Sequence, residues 1–196
     1  MNPGDFETTA SENKIHISCP YFIATTELTK DIVASLQNAT PSNNSYPWTG
    51  TLLAAEEIIE VLSRQMGKKP CKDQNDLQCQ TSAFRLPSVN EWKYAAAARS
   101  SYVYSGSNVG DEVSWNVDNA DKVMPVGLKR PNAWGLYDMS GNVSEFAFQT
   151  SNYALGGSVT EKPKCGLIEG VSCDQGVSYD TTAGLRLVYS PYCSTR

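Results

Sequence analysis

Six cysteines constrain this chain more than any other feature of its sequence. They are Cys19, Cys71, Cys79, Cys165, Cys173 and Cys193. Neither of the two close spacings, Cys71 to Cys79 and Cys165 to Cys173, is the CxxC of a zinc ribbon or redox motif. We therefore predict disulfides Cys71–Cys79 and Cys165–Cys173 from proximity, which places the chain in an oxidising compartment. The alternative is a set of unpaired buried thiols in a reducing cytosol.

The composition excludes several classes of function. The 16 Lys and Arg against 21 Asp and Glu give a net charge of −5, so the chain lacks the basic surface that nucleic-acid binding requires. No apolar run reaches the length of about 18 residues that a membrane-spanning helix needs. The single histidine, His16, cannot build a three-histidine zinc site or a two-histidine iron site, and no nucleophile elbow is present.

The sequence predicts one domain that follows an exposed leader. Residues 1–18 are polar and form the leader, without the pattern of a signal peptide. Residues 19–196 form a single domain, because no linker or internal repeat interrupts them. Its first strand is predicted over 21–29 and its last over 183–190, where apolar residues alternate with others.

Two helices are predicted from N-caps and apolar spacing. Thr29 precedes a short helix over 30–39, with inward positions Ile32, Val33 and Leu36. The longer helix covers 52–66, between Thr51 and Gly67. Its apolar stripe consists of Ala55, Ile58, Ile59, Leu62 and Met66.

A capping box predicts a third helix. Ser88 and Glu91 stand three residues apart directly after a proline, and the helix that they open runs to about Arg99. Within it, Trp92 and Ala95 are expected to pack inward. Arg99 is expected to pair with a carboxylate.

Three segments in a fixed order resemble one known family. They are FRLPSVNEWKYAAAARS (84–100), PNAWGLYDMSGNVSEF (131–146), and GGS (156–158) followed by AGLRLV (183–188). The chain resembles the formylglycine-generating-enzyme-like family over roughly residues 19–190.

The resemblance implies an α+β domain with a C-type lectin-like fold of the formylglycine-generating-enzyme type. Such a fold has two main helices, small twisted antiparallel sheets and many irregular loops. It also implies that the first and last strands pair. That pairing brings Cys19 and Cys193 close together, and the resemblance therefore adds the disulfide Cys19–Cys193.

The resemblance also implies a calcium site in the segment DMSGNVSE (138–145). Carried over by position, the ligands are the side chains of Asp138 and Glu145 and the carbonyls of Gly141 and Val143, oxygen donors of the kind calcium prefers. Alternatively, the two carboxylates cap the turn by accepting backbone N–H bonds. No organic cofactor is expected.

Enzymes of the resembled family oxidise a substrate cysteine with two cysteines that follow the GGS segment and bind copper(I). Here Cys165 and Cys173 fall later and farther apart than the family pattern. We therefore expect them to form a disulfide that closes a loop, and we expect no catalysis. A copper-dependent oxidase acting on a protein cysteine is the alternative.

A non-catalytic branch of the family, the variable proteins of diversity-generating retroelements, is similar in its short length and its terminal strand. The resemblance implies a binding protein that displays variable C-terminal positions to a protein or other macromolecular receptor on a cell or virus surface. The chain itself would be extracellular, surface-displayed or virion-displayed. Tyr, Ser and Asn suit adaptable binding surfaces. The expected binding residues are Gln149, Ser151, Asn152, Tyr153, Ser158, Thr160, Ser178, Tyr179 and Asp180. A structural ectodomain with a fixed partner is a further alternative.

Overall fold

A computed structural model describes most of the chain. The described residues are 4–7, 14–17, 19–42, 45–69, 83–149, 152–168, 175–176 and 181–191. In chain order the helices are α1 (Lys30–Leu36), α2 (Leu52–Gln65), α3 (Val89–Ala97) and α4 (Gly110–Val113), with a 3₁₀ turn over Pro163–Gly166. Among the described helices, none is long and apolar enough to cross a membrane.

The first two helices begin at the predicted caps. The side chain of Thr29 accepts a hydrogen bond from the Ile32 amide, and Thr51 accepts one from the Ala54 amide at 3.3 Å. The prediction that Ile32 faces inward is wrong, because α1 is only two turns long and rests on α2 through Val33 and Leu36.

The predicted stripe of α2 is correct for its first three members and wrong at its end. Ala55, Ile58 and Ile59 are buried, whereas Met66 is 59% exposed. The helix ends at Gln65, so Met66 lies outside it as the C-cap. The inner face continues from Ile59 to Ser63, four residues on.

The capping box of α3 is confirmed. Ser88 accepts from the Glu91 amide at 3.1 Å, while the Glu91 carboxylate accepts from the Ser88 amide at 2.8 Å. The inward positions Trp92 and Ala95 are confirmed as well. The helix ends in a left-handed turn at Ala98, two residues earlier than the sequence predicts.

Twelve described strands form four small sheets. They are β1 (Gly4–Glu7), β2 (Lys14–Ile17), β3 (Phe22–Ile23), β4 (Thr49–Thr51), β5 (Phe84–Arg85), β6 (Ser114–Trp115), β7 (Ser140–Gly141), β8 (Glu145–Phe148), β9 (Asn152–Leu155), β10 (Gln175–Gly176), β11 (Thr182–Gly184) and β12 (Val188–Tyr189). The orders are β10-β9-β8-β11-β4, β3-β12-β5, β1-β2 and β6-β7. The α+β architecture agrees with the sequence prediction.

The first and last strands of the domain pair, as predicted. In the antiparallel register Phe22 lies opposite Tyr189 and Ile23 opposite Val188. The strand over 21–29 is shorter than predicted, since only Phe22–Ile23 keeps a regular ladder. Beyond it, single backbone bonds from Ala24 and Leu28 continue the contact to the 185–187 segment.

The last strand differs from its prediction in both continuity and burial. It divides into β11 and β12, and residues 183–188 are all buried instead of alternating. The reason is that β11 lies between β8 and β4, and β12 between β3 and β5. Both strands are therefore internal to their sheets, and even Arg186 between them is fully buried.

The prediction of an exposed leader over 1–18 is wrong at its C-terminal end. Gly4–Glu7 and Lys14–Ile17 form an antiparallel hairpin. The side chain of Ile17 is buried against Tyr21, Tyr94 and Val188. An apolar residue directly before the first domain strand can enter the core because the hairpin turns the chain back onto α3.

Two larger groups of buried residues make up the core. One joins α1 and α2 to the five-stranded sheet, with Leu52, Ile59, Phe146 and Leu185 at its centre. The other packs α3 against β8 and β9. The described cysteines, Cys19 and Cys165, are both disulfide-bonded. Cys71, Cys79, Cys173 and Cys193 lie outside the described residues, so the three pairings stay predictions.

Candidate functional site

An open cavity with a mixed polar and apolar lining lies between two loops of the domain. It has a volume of about 600 Å³ and is lined by residues 117–121 from one loop and by Val159 and Thr160 from the other. We call residues 117–121 and 158–162 the two-loop face. Val117 is 45% exposed, and Thr160 is exposed as well. The face offers hydroxyl, amide and carboxylate groups around an apolar centre.

Hydrogen bonds between and within the two loops hold the two-loop face together. The Val117 amide donates to the Glu161 carbonyl at 3.1 Å. The Lys162 ammonium lies 2.9 Å from the Asp118 carboxylate, and Ser158 donates to the Glu161 carboxylate at 2.9 Å. Since these bonds already order both loops, a ligand would meet a surface that needs little further ordering.

Close backbone contacts fix the second loop to the domain. Val159 donates to the carbonyl of Asn142 at 3.0 Å. Gly157, with φ of 70°, lies so near the backbone of Cys165 that a Cβ would stand 2.7 Å from its carbonyl carbon. Glycine adopts this left-handed conformation without strain and has no Cβ that would clash here. The segment before the face therefore sits directly on the disulfide-bonded turn at Cys165.

A buried ion pair joins β8 to the segment between β11 and β12. The guanidinium of Arg186 donates to both carboxylate oxygens of Glu145, with the shortest distance 2.7 Å. Trp92 donates its indole N–H to the same carboxylate at 2.7 Å. Arg186 also donates to the carbonyls of Ala24 at 2.9 Å and Tyr137 at 2.8 Å. Burial alone would lower the pKa of Arg186, but the charge of Glu145 outweighs it and raises that pKa.

Two more buried carboxyl groups lie beside this pair. Glu27 accepts from the side-chain amide of Asn142 at 3.0 Å, and Asp138 accepts from the Gly127 amide at 2.6 Å. Burial, together with the charge of Asp138, raises the pKa of Glu27 well above its usual range. Burial likewise raises the pKa of Asp138. One oxygen of each carboxyl, Glu27 Oε2 and Asp138 Oδ1, is buried without a hydrogen-bond partner among the described residues.

The structure separates the predicted binding residues into two groups. Gln149 is exposed at the hairpin that joins β8 to β9, whereas Ser158 and Thr160 follow the other end of β9. A four-residue strand is about 13 Å long, so these groups do not share one small site. Ser158 and Thr160 belong to the two-loop face.

The remaining predicted binding residues are not all available at a surface. Tyr153 is half-buried and packs against the core group of α3. Asn152 lies in β9 with its backbone opposite Phe148. Ser151, Ser178, Tyr179 and Asp180 lie outside the described residues.

Sequence reasoning missed the first loop of the two-loop face. Val117 through Asp121 lie about forty residues from Thr160 in the chain, and no motif links them. The only available signal was a short polar run around an apolar residue, which is typical of many loops.

The predicted calcium ligands are close in the chain but differ in their surroundings. Asp138 keeps one carboxylate oxygen, Oδ1, without a hydrogen-bond partner among the described residues. Glu145, in contrast, has both oxygens on the Arg186 guanidinium. A calcium ion beside that guanidinium would meet a like charge, so Glu145 in this arrangement does not fit as a ligand. Gly141 and Val143 are buried, and calcium binding by the four residues stays a prediction.

Comparison with known proteins agrees with this architecture. Residues 1–190 match the model of a family described as the sulfatase-modifying factor enzyme 1-like domain. A curated relative, chaperone protein LppX of Paenibacillus barcinonensis, is 36% identical over 89 residues, which cover 35% of this chain and 32% of the relative. The chain thus spans about a third of the length of that relative.

Several solved structures have a similar fold over nearly the whole chain. Treponema denticola variable protein 1 has 20% identity and a TM-score of 0.74, covering 97% of this chain and 94% of its own. CarF has 21% identity and a TM-score of 0.76, covering 96% of each chain. PvdO from Pseudomonas aeruginosa has 15% identity and a TM-score of 0.72, covering 97% and 92%. At these identities the likeness shows the fold, which is C-type lectin-like as the sequence predicts.

Proposed function

Because the chain belongs to the sulfatase-modifying factor enzyme 1-like family, we propose that it is a non-enzymatic member whose two-loop face binds a macromolecular receptor. The observation that carries this proposal is the face itself. Its loops are cross-linked by hydrogen bonds, and Val117, Asp118 and Thr160 are exposed on it. A rigid scaffold with exposed polar loops is the arrangement that recognition requires.

The receptor class and location are part of the same proposal. The receptor is a protein or other macromolecule on a cell or virus surface, and this chain is displayed outside the cell or on a virion. The disulfide bonds of Cys19 and Cys165 support an oxidising compartment. The likeness to a protein named as variable supports a displayed surface whose residues change between copies of the gene.

Sequencing the 3′ half of this gene across sister isolates tests the proposal. We expect substitutions at the exposed positions Gln149 and Thr160 and at the half-buried Ser158, with adenine in a nearby template copy at each variable codon. Phe146 and Leu155 lie in the same stretch but are buried, so they serve as internal controls and should stay constant. A uniform gene, or substitutions spread equally over buried and exposed codons, would contradict the diversified binding surface.

A direct binding measurement follows from the variable positions. A receptor that binds the protein of one isolate should bind its Thr160→Arg variant more weakly, because the large cation fills the cavity. The melting temperature Tm of the variant should stay unchanged. The matched control is Arg64→Gln on the exposed side of α2, away from the cavity. Equal binding by both variants would contradict recognition through the two-loop face.

One observation favours the enzymatic alternative, a copper-dependent oxidase acting on a protein cysteine through Cys165 and Cys173. The close contact of Gly157 with Cys165 brings that cysteine to the GGS segment, although the spacing in sequence differs from the family pattern. Cys165 is nevertheless buried and disulfide-bonded, and copper(I) binds a thiolate. We expect no free thiols in the native protein and no copper(I) bound after mild reduction. One tightly bound copper ion per chain that is lost in Cys165→Ser would favour the oxidase.

A further inference from the structure

A second cavity lies on a different part of the domain, between β3 and the C-terminal end of α3. Its volume is about 440 Å³, which falls in the range of small-molecule pockets. It is lined by Phe22, Ile23, Thr25, Tyr94, Arg99, Trp134 and Leu136. It shares no residue with the two-loop face, so it is a separate site. We call it the β3–α3 pocket.

The walls of the β3–α3 pocket are mainly aromatic and aliphatic. Tyr94 and Trp134 meet edge to face, with ring centroids 5.0 Å apart and an angle of 68° between the planes. Because these rings pack on each other and on core residues, the wall that they form is preorganised. Phe22 contributes a rim that is 59% exposed, so an apolar side chain at the mouth of the pocket is open to a ligand.

Arg99 supplies the one cation of the β3–α3 pocket lining. Its side chain is exposed, and no described residue forms an ion pair with it. The carboxylate partner that the sequence predicts for Arg99 is therefore not found among the described residues. Among the described residues, ion pairs are formed by Arg64, Arg85, Arg130, Lys162 and Arg186.

The backbone places Arg99 at the pocket in an uncommon conformation. Ala98 and Arg99 are both left-handed, with φ of 48° and 58°. Non-glycine residues adopt this conformation at a cost, and such residues concentrate where the chain presents a functional side chain. The turn ends α3 and is closed by the Ser100 amide on the Ala97 carbonyl at 2.8 Å.

We propose that the β3–α3 pocket binds an aromatic or branched aliphatic group that carries a carboxylate. The apolar group lies against Trp134 and Phe22, and the carboxylate pairs with Arg99. The Thr25 side chain, exposed at the same rim, offers a hydroxyl for a second bond to the carboxylate. A guanidinium and a carboxylate pair through charge-assisted hydrogen bonds, which gives this ligand class preference over a neutral analogue of the same shape.

The test uses N-acetyl-L-phenylalanine as the probe and N-acetyl-L-phenylalaninamide as its neutral match. Binding is followed by chemical-shift changes of the Trp134 indole N–H in a spectrum of the full ¹⁵N-labelled chain. We expect the acid to bind up to about fivefold more tightly than the amide, because an exposed charge pair contributes at most about that factor. No shift with either probe at millimolar concentration, or equal affinities of acid and amide, would overturn the proposal.

Two variants separate the pocket from general charge effects. Arg99→Gln should weaken binding of the acid by up to about fivefold and leave binding of the amide unchanged. Arg64→Gln removes an equal charge from the exposed face of α2 and should change neither. Phe22→Ser should weaken both probes because it removes the apolar rim. Unaltered binding of the acid by Arg99→Gln would overturn the role of the cation.

A third comparison identifies the source of the ligand. N-acetyl-glycyl-phenylalanine extends the probe away from its carboxylate, as the C-terminus of a peptide would. Tighter binding of the longer acid assigns the site to peptide C-termini, whereas equal binding assigns it to small free acids. Both results retain the carboxylate preference. Binding of the phenylalanine side chain in internal peptides without a carboxylate would contradict it.

Discussion

Replacing Arg186 with methionine should destabilise this domain more than replacing any exposed arginine. The side chain is fully buried, and Glu145, which it contacts, is 1% exposed. Methionine fills a similar volume but donates no hydrogen bond. The Arg186→Met variant therefore leaves the Glu145 carboxylate buried, with the indole N–H of Trp92 as its one remaining donor among the described residues.

The size of the effect follows from this geometry. Removing one partner of a buried ion pair costs about 3–5 kcal/mol of unfolding free energy. The carbonyls of Ala24 and Tyr137 lose their Arg186 donors as well, which places the variant toward the upper end. For a chain of this size each kcal/mol lowers Tm by about 2–4 °C, so the expected loss is about 6–20 °C.

Urea denaturation followed by circular dichroism, with the disulfides intact, measures the loss of unfolding free energy, and a thermal scan measures the loss in Tm. The matched control is Arg130→Met, the same substitution in an exposed pair with Glu112 at 3.3 Å, where we expect at most about 1 kcal/mol. In the double variant Arg186→Met/Glu145→Met, part of the stability should return, because neither charge of the pair remains buried. Equal losses in Arg186→Met and Arg130→Met would refute the reasoning.

Three further predictions concern acid stability, a glycine turn and calcium. Burial would raise the pKa of Glu91, but hydrogen bonds and charge from Arg85 outweigh burial and lower that pKa. The ionised Glu91 therefore stabilises the fold at neutral pH, and this stabilisation is lost as the pH falls through the folded-state pKa. Glu91→Gln should flatten the acid side of a plot of urea midpoint against pH, and an unchanged slope would contradict this. Gly141→Ala should abolish folding, because its Cβ would stand 2.2 Å from the Trp115 carbonyl oxygen. The control Gly135→Ala, with a similar φ of 75° and no atom within 4 Å of its Cβ, should lower the free energy of unfolding by only about 1–2 kcal/mol. Equal circular dichroism and Tm for the two variants would contradict this. Millimolar calcium should not raise Tm above its value in a chelator, because the Glu145 carboxylate already contacts the Arg186 guanidinium. A rise of several degrees would support calcium binding at this segment.

The parts of the fold that were predictable depend on residues that are neighbours in the chain. The caps at Thr29, Thr51 and Ser88 each bond an amide three residues away, so the local sequence contains both partners. The inward face of α3 follows from helical periodicity for the same reason. The family motifs added the pairing of the first and last strands, which no local pattern contains.

The errors occur where distant segments decide burial. Ile32 is apolar and at a plausible position, but α2 covers only one side of α1. The polar sequence around Ile17 predicts an exposed leader, yet the hairpin brings this residue onto α3. An apolar pattern indicates which residues can be buried, and the tertiary structure determines which of them find a partner surface.

The candidate sites show the same division more sharply. From the sequence, Arg186 is one residue of an alternating strand, and Glu145 is a candidate calcium ligand. In the fold these two residues, 41 positions apart in the sequence, form an ion pair, and Glu27 accepts a hydrogen bond from Asn142, 115 positions away. The sequence by itself determined the helix caps, the family and the supply of exposed polar residues. Only the tertiary structure decided which loops form one face and which carboxylate faces a cation, because a buried charge is stable only where folding brings a distant partner to it.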